Sequence, residues 1–169
     1  GRWTNSGDYV DYDSITGVTM TGPNGQSYKY EPEPPYMDGT IDAQIDNLAD
    51  TSMKYWLTDL RPDLDNNVPS NAADPAFWQH MVNFTIGLNL TGKLDPLTDL
   101  PLLKNGDKTW TDLDNEESLA KVDDLWHAAI NSRGEYFNAD DPDTIADAMA
   151  DSLIKIFDRT GSSSSVATT

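Results

Sequence analysis

The sequence predicts an α/β fold with parallel strands. Three observations carry that reading. Residues 82–90, V-N-F-T-I-G-L-N-L, alternate apolar with polar or small side chains, as a strand does. A second short β-prone run, E-Y-F-N-A at 135–139, follows about fifty residues later. Apolar residues at helical spacing lie before, between and after the two runs, and alternation of helix with strand favours parallel pairing.

The elements follow in order. Residues 18–21 and 27–30 are β-prone and flank Pro23-Asn24-Gly25, so a β-hairpin with a tight Asn-Gly turn is expected. E-P-E-P-P-Y-M-D-G at 31–39 reads as a rigid extended connector, because each Pro biases its predecessor away from helix. Residues 41–60 carry Ile41, Ile45, Leu48, Met53, Trp56 and Leu60 on one helical face, and Arg61-Pro62 ends the helix. Residues 75–81 predict a short helix capped by Asp74. Residues 93–111 read as a long loop.

Asp114 with Glu117 forms a capping box, and the helix it opens has Leu119, Val122, Trp126, Ala129 and Ile130 as its buried stripe. Arg133-Gly134 closes it, with Gly in the left-handed position. Asp141-Pro142 starts a final helix whose inner face is Ile145, Met149, Leu153, Ile156 and Phe157. Residues 161–169, rich in serine, read as a flexible tail.

Composition narrows the function classes. Eleven basic against 29 acidic residues give a net charge of −18, a surface that repels nucleic acid and anionic lipid. Of the acids, 24 are Asp and five Glu, a skew toward caps and turns over helix interiors. There is no cysteine, which excludes disulfides and thiolate metal sites. No stretch has the roughly 20 apolar residues of a membrane-spanning helix. No secretory leader is read, and the chain opens on Gly1 rather than Met, so an excised piece is expected.

Few residues offer chemistry. His127 lies off the apolar stripe of its helix and one turn after Asp123 and Asp124, so a hydrogen bond to one of them is expected and its removal should be mild. His80 is the other histidine, too little for a zinc site. Asp63, Asp65 and Asn67 alternate as the start of a calcium loop does, but the glycine and distal glutamate of an EF-hand are absent. They are the candidate ligands for a weak calcium ion; no other cofactor is expected. Ser70 and Ser132 lack a nucleophile motif, so no catalytic residue is assigned. Trp56 and Trp126 are expected in the core, whereas Trp110 and Tyr36 fall in loops.

Several long fragments carry a family resemblance. K-Y-W-L-T-D-L-R-P-D-L-D-N-N-V, D-P-A-F-W-Q-H-M-V-N-F-T-I-G-L-N-L-T-G, V-D-D-L-W-H-A-A-I-N-S-R-G-E-Y-F and D-P-D-T-I-A-D-A-M-A-D-S-L together resemble the PilY family of type IV pilus tip-associated proteins, related to the neisserial PilC adhesins. The resemblance implies the C-terminal part of a von Willebrand factor A-like domain, a Rossmann-type three-layer fold, with a β-hairpin insertion. Residues 1–40 would be the insertion, 41–160 the A-like half, and 161–169 a linker toward a C-terminal domain outside this chain.

The resemblance also implies a role without enzymatic activity in pilus biogenesis or adhesion. The protein would act through contacts with pilus subunits or host ligands at the bacterial surface or pilus tip, reached through the periplasm. A-like domains bind a divalent cation through a DxSxS loop, and this chain has no DxSxS, so that site is expected to be missing. Two other readings fit the residues: a secreted calcium-dependent binding module unrelated to pili, and a small Asp-dependent hydrolase.

Overall fold

A computed structural model describes residues 10–39, 47–113, 119–139 and 141–161. Two small sheets and four α-helices make up this part of the chain. Strand β1 (Thr19–Thr21) pairs antiparallel with β2 (Ser27–Lys29), as the hairpin reading requires. The turn is not a two-residue Asn-Gly turn. Pro23–Gly25 form a 3-10 turn, closed where the Gly22 N–H donates to the Gln26 carbonyl at 2.9 Å. Gly25, at φ +78°, supplies the left-handed residue.

Helix α1 (Leu48–Trp56) begins later than its periodicity suggested. Asn47 is extended and caps it, with a reciprocal pair of bonds between Asn47 and Asp50. Residues 41–46 lie outside the described residues. The helix expected at 75–81 is absent: Asp74 accepts the Ala76 N–H at 3.3 Å as a cap would, but the Phe77 and Gln79 carbonyls accept from the N–H groups of Val68 and Leu60 instead of from a following helical turn, and Asp74 also accepts from Trp56 Nε1 at 3.2 Å and faces His80 Nε2 at 3.0 Å.

Strand β3 (Phe84–Leu88) pairs parallel with β4 (Glu135–Ala139), Phe84 opposite Glu135 and Leu88 opposite Ala139. The mixed α/β class therefore holds. Between them the expected loop contains a further helix, α2 (Pro96–Asn105). Asp95 caps its start through Leu97 N–H, Pro96 sits at the first position, and Gly106 closes it at φ +75°. Helix α3 (Ala120–Asn131) follows; the expected capping box at 114–117 lies outside the described residues. Leu119 proves exposed, while Val122, Trp126 and Ala129 are buried as expected.

The left-handed residue after α3 is Arg133 (φ 62°), not Gly134. Gly134 answers a different need. A Cβ there would stand 1.8 Å from the Asn83 carbonyl oxygen, so only glycine lets β4 start against the chain leading into β3.

Helix α4 (Pro142–Gly161) turns Ala148 inward, with Ile145 and Ser152 half-buried. Its larger apolar residues face out, contrary to the expected inner face: Met149 and Leu153 are 56% and 55% exposed, and Ile156 and Phe157 are exposed too. Two apolar clusters hold the rest. Trp56, Trp78, Phe77, Met53 and Tyr30 form one, with Trp56 and Trp78 edge-to-face at 5.2 Å. Trp110, Trp126, Leu94 and Leu103 form the other. Each such aromatic pair adds about 0.5–1.5 kcal/mol beyond its area. Helix α1 packs on α3 and sets one cluster beside the other.

Candidate functional site

At the α1–α3 contact lies a group of enclosed polar side chains. Asp13 is 0% exposed, Asp50 and His127 1%, Asp38 5% and Asp11 7%. Burying carboxylates is expensive unless they are neutralised or fully bonded, so each position needs a physical cause.

Residues 11–14 curl because Asp11 Oδ1 accepts the Ser14 N–H, three residues on, at 2.9 Å. Tyr30 Oη donates to the Asp13 carbonyl at 2.5 Å and pins the curl to the hairpin. Asp50, in the first turn of α1, accepts the Tyr12 N–H at 2.7 Å with the same carboxylate that completes the Asn47 capping box. From α3, residues one turn apart point inward. Asn131 Nδ2 donates to Asp13 Oδ2 and to the Ala49 carbonyl, both at 3.2 Å. His127 Nε2 lies 2.7 Å from the Tyr36 carbonyl and 3.7 Å from Asp13 Oδ2, and its Nδ1 is 3.4 Å from Asp38 Oδ1.

Asp123 and Asp124 are therefore not the partners of His127. Asp124 reaches the other way and accepts the N–H groups of Leu48 and Ala49, both at 3.1 Å, at the start of α1. Asp123 accepts from Lys93 N–H, Leu94 N–H and Thr111 Oγ1, tying that loop to α3. Trp110, expected in a loop, is buried, and its Nε1 donates to the Pro35 carbonyl at 2.7 Å. Arg133 lies between the Tyr36 and Trp56 rings, 3.6 and 3.7 Å from their centroids.

Crowding changes the acids. Burial, and then the charges of Asp38, Asp50 and Asp11, push the Asp13 carboxyl up to about 9, while the Asn131 amide pulls the other way. Burial likewise raises Asp50 to about 7 against the pull of the Asn47 and Tyr12 N–H groups. Asp124 is raised by burial as well. Two sets of three could each share an ion: Asp13, Asp38 and His127, and Asp11, Asp13 and Asp50. Asp38 and His127 also meet Asp124, Trp110 and Thr111 around a gap too tight to hold a water molecule.

The sequence-predicted ligands lie elsewhere. Asp63 and Asp65 are exposed. Arg61 Nε and Nη2 donate to the two oxygens of Asp63, both at 2.8 Å. The Asp65 carbonyl accepts from the Asn67 N–H and from Gln79 Nε2. Sequence reasoning missed all four aspartates: Asp11 and Asp13 fell in a polar, turn-rich segment, Asp38 in the extended connector, and Asp50 on the face of the 41–60 helix opposite its apolar stripe. Its available signal was the pair His127 and Asn131, two polar residues at i, i+4 beside an apolar stripe.

The chain is 40% identical, over 195 aligned positions, to the type IV pilus biogenesis factor PilY1 of Pseudomonas aeruginosa strain UCBPP-PA14, with all of the chain aligned. It is 38% identical to the PilY1 of strain ATCC 15692 across 92% of its length. This chain is a PilY1-type segment. The segment spans only 16% and 15% of the length of these two relatives. No protein-family model matches the PilY1-type segment. No solved structure matches it either. No helix among its described residues is long and apolar enough to cross a membrane.

Proposed function

We propose that this segment is a non-enzymatic part of a type IV pilus biogenesis protein, acting through protein–protein contacts at the bacterial surface or pilus tip. The observation that carries the reading is the alignment of the whole chain with PilY1 relatives at up to 40% identity. A role without catalysis is supported by the enclosure of the acid–base groups. Asp13, Asp50 and His127 are at most 1% exposed and bonded to internal partners, so they offer no substrate-facing surface. The strongly acidic composition favours a basic partner surface.

The A-like architecture is part of the same reading. The parallel β3–β4 pair, with α3 between the strands and α4 after them, supports it. Residues 1–40 are then an insertion and 161–169 a linker. The test is replacement of residues 10–161 by a flexible linker in the parent gene, with surface pili counted by electron microscopy. Sharply fewer pili at unchanged parent protein level are expected. Wild-type pilus numbers would overturn the proposal.

A further inference from the structure

We propose that the outer side of α4 and the free edge of β3 form one docking surface, and that its occupant is a β-strand with an adjoining helix from the parent polypeptide outside these 169 residues. The inference rests on reading the chain as one part of a longer pilus protein.

The two faces of the β3–β4 sheet are covered unequally. On one face Thr85 Oγ1 donates to the Leu125 carbonyl of α3 at 3.1 Å, and Tyr136 lies beside Trp126. Phe84, Ile86 and Leu88 alternate onto the other face. There Lys155 of α4 meets Glu135, the register partner of Phe84, at 3.2 Å. Helix α4 lies over β4 more than over β3. The β3 side of this face is left thinly covered: Ile86 is half-buried and Leu88 is 57% exposed.

The edge of β3 is open and unprotected. Among the described residues no strand other than β4 lies beside it. Natural sheet edges are commonly blocked by a proline or a charge, and F-T-I-G-L has neither. Parallel strands belong to sheets covered on both faces, and two strands alone are marginal in water. Such an edge suits an added strand, held by main-chain hydrogen bonds.

Helix α4 asks for a helix as well. Met149, Leu153 and Ile156 recur at one-turn spacing, 56%, 55% and 41% exposed. A strand beside β3 would leave this stripe in water. A helix joined to that strand and packed along α4 would cover it, as connections between parallel strands do.

Two observations favour an occupant in the same polypeptide over a second copy. The chain spans only 16% of the PilY1 of strain UCBPP-PA14, so most of that relative's length lies beyond the match. Each copy of the chain carries a net charge of −18, which opposes pairing of two copies. An element tethered in the same polypeptide has a high effective concentration at the surface without that repulsion.

The test uses the purified parent protein. Leu153→Cys and Leu88→Cys are labelled with a thiol reagent, native and unfolded, and the rates at each site are read by mass spectrometry. Both sites should react more slowly in the native protein by a factor of about ten or more, unchanged on dilution. A photoreactive diazirine analogue of leucine, which keeps the side chain's size, then replaces Leu88 or Leu153. Irradiation should link it within one polypeptide to a residue outside these 169. Native labelling as fast as unfolded at either site would overturn the proposal. So would protection lost on dilution, or crosslinks confined to this segment, to a second copy or to a separate protein. Pilus number is not read, so failure of the pilus reading would leave this result standing.

Discussion

The imidazole of His127 lies flat on the indole of Trp110, ring centroids 4.1 Å apart and planes 13° from parallel. The stack buries both rings and holds the His127 nitrogens toward Tyr36 and Asp38. A histidine expected to tolerate loss is thus built into the interior. His127→Ala should cost about 3 kcal/mol, the sum of a cavity and lost hydrogen bonds. Urea unfolding measures it, and a loss below about 1 kcal/mol would show that the stack adds little.

Trp126 anchors the second apolar cluster. It is 3% exposed and meets Trp110 edge-to-face at 4.9 Å. Trp126→Ala should destabilise the chain by roughly 3–5 kcal/mol. Denaturant melts monitored by circular dichroism give the value, since the fluorescence itself changes with the substitution.

Stability should fall as pH rises from about 4 to 9. Asp13 and Asp50 have folded-state values raised to about 9 and about 7. Between the ordinary carboxyl value and these, the folded chain holds more protons than the unfolded one, so raising the pH favours unfolding. The groups facing Asp13 are Asp11, Asp38, Asp50, Asn131 and His127. Asp74, which burial pushes up but the His80 and Trp56 bonds bring below normal, works in the opposite sense only at acid pH. Melting temperature should therefore be higher at pH 5 than at pH 8.5 in chelator, and Asp13→Asn should flatten the profile. An upward slope across that range in the unsubstituted chain would contradict the raised values.

Gly134→Ala should be severe. The added carbon would meet the Asn83 carbonyl oxygen at 1.8 Å, a backbone atom that cannot swing aside. A loss of about 3 kcal/mol or failure to fold is expected, read as soluble yield and melting temperature. Near-neutral behaviour would mean that α3 and β4 join differently.

Surface substitutions on α4 should behave oppositely. Met149→Ser and Leu153→Ser alter side chains more than half exposed, so each should change stability by no more than about 0.5 kcal/mol. Light scattering should show less self-association than in the unsubstituted chain. A loss of 2 kcal/mol for either would place that face in the core after all.

Local features of the fold were legible from the residues. The E-Y-F-N-A strand was read to the residue, because β-prone side chains follow directly on a helix stop. The hairpin was read from Pro-Asn-Gly, though not its turn type. Helix α2 was missed although Asp95-Pro96 and Gly106 mark both its ends, because leucines and polar residues scatter around it without a clear stripe. The helix at 75–81 was wrongly expected, because no local rule says that the Phe77 and Gln79 carbonyls will be taken by Val68 and Leu60 of the preceding loop. The candidate site was illegible for a related reason. An aspartate in a turn and one in a buried cluster look alike until distant segments meet.

The distances along the chain have a consequence for assembly. Asn131 holds Asp13 across 118 residues, His127 holds Tyr36 across 91, and Asp124 holds Leu48 across 76. Contacts of such span form late, because closing long loops is entropically slow. A chain made or threaded from its N-terminus must wait for the last turn of α3 before its early aspartates can leave water. Until then they are solvated and charged, and the early part of the chain lacks the surface it packs against. The enclosed acids thus work as a completion check: only a chain synthesised past Asn131 can shut them away.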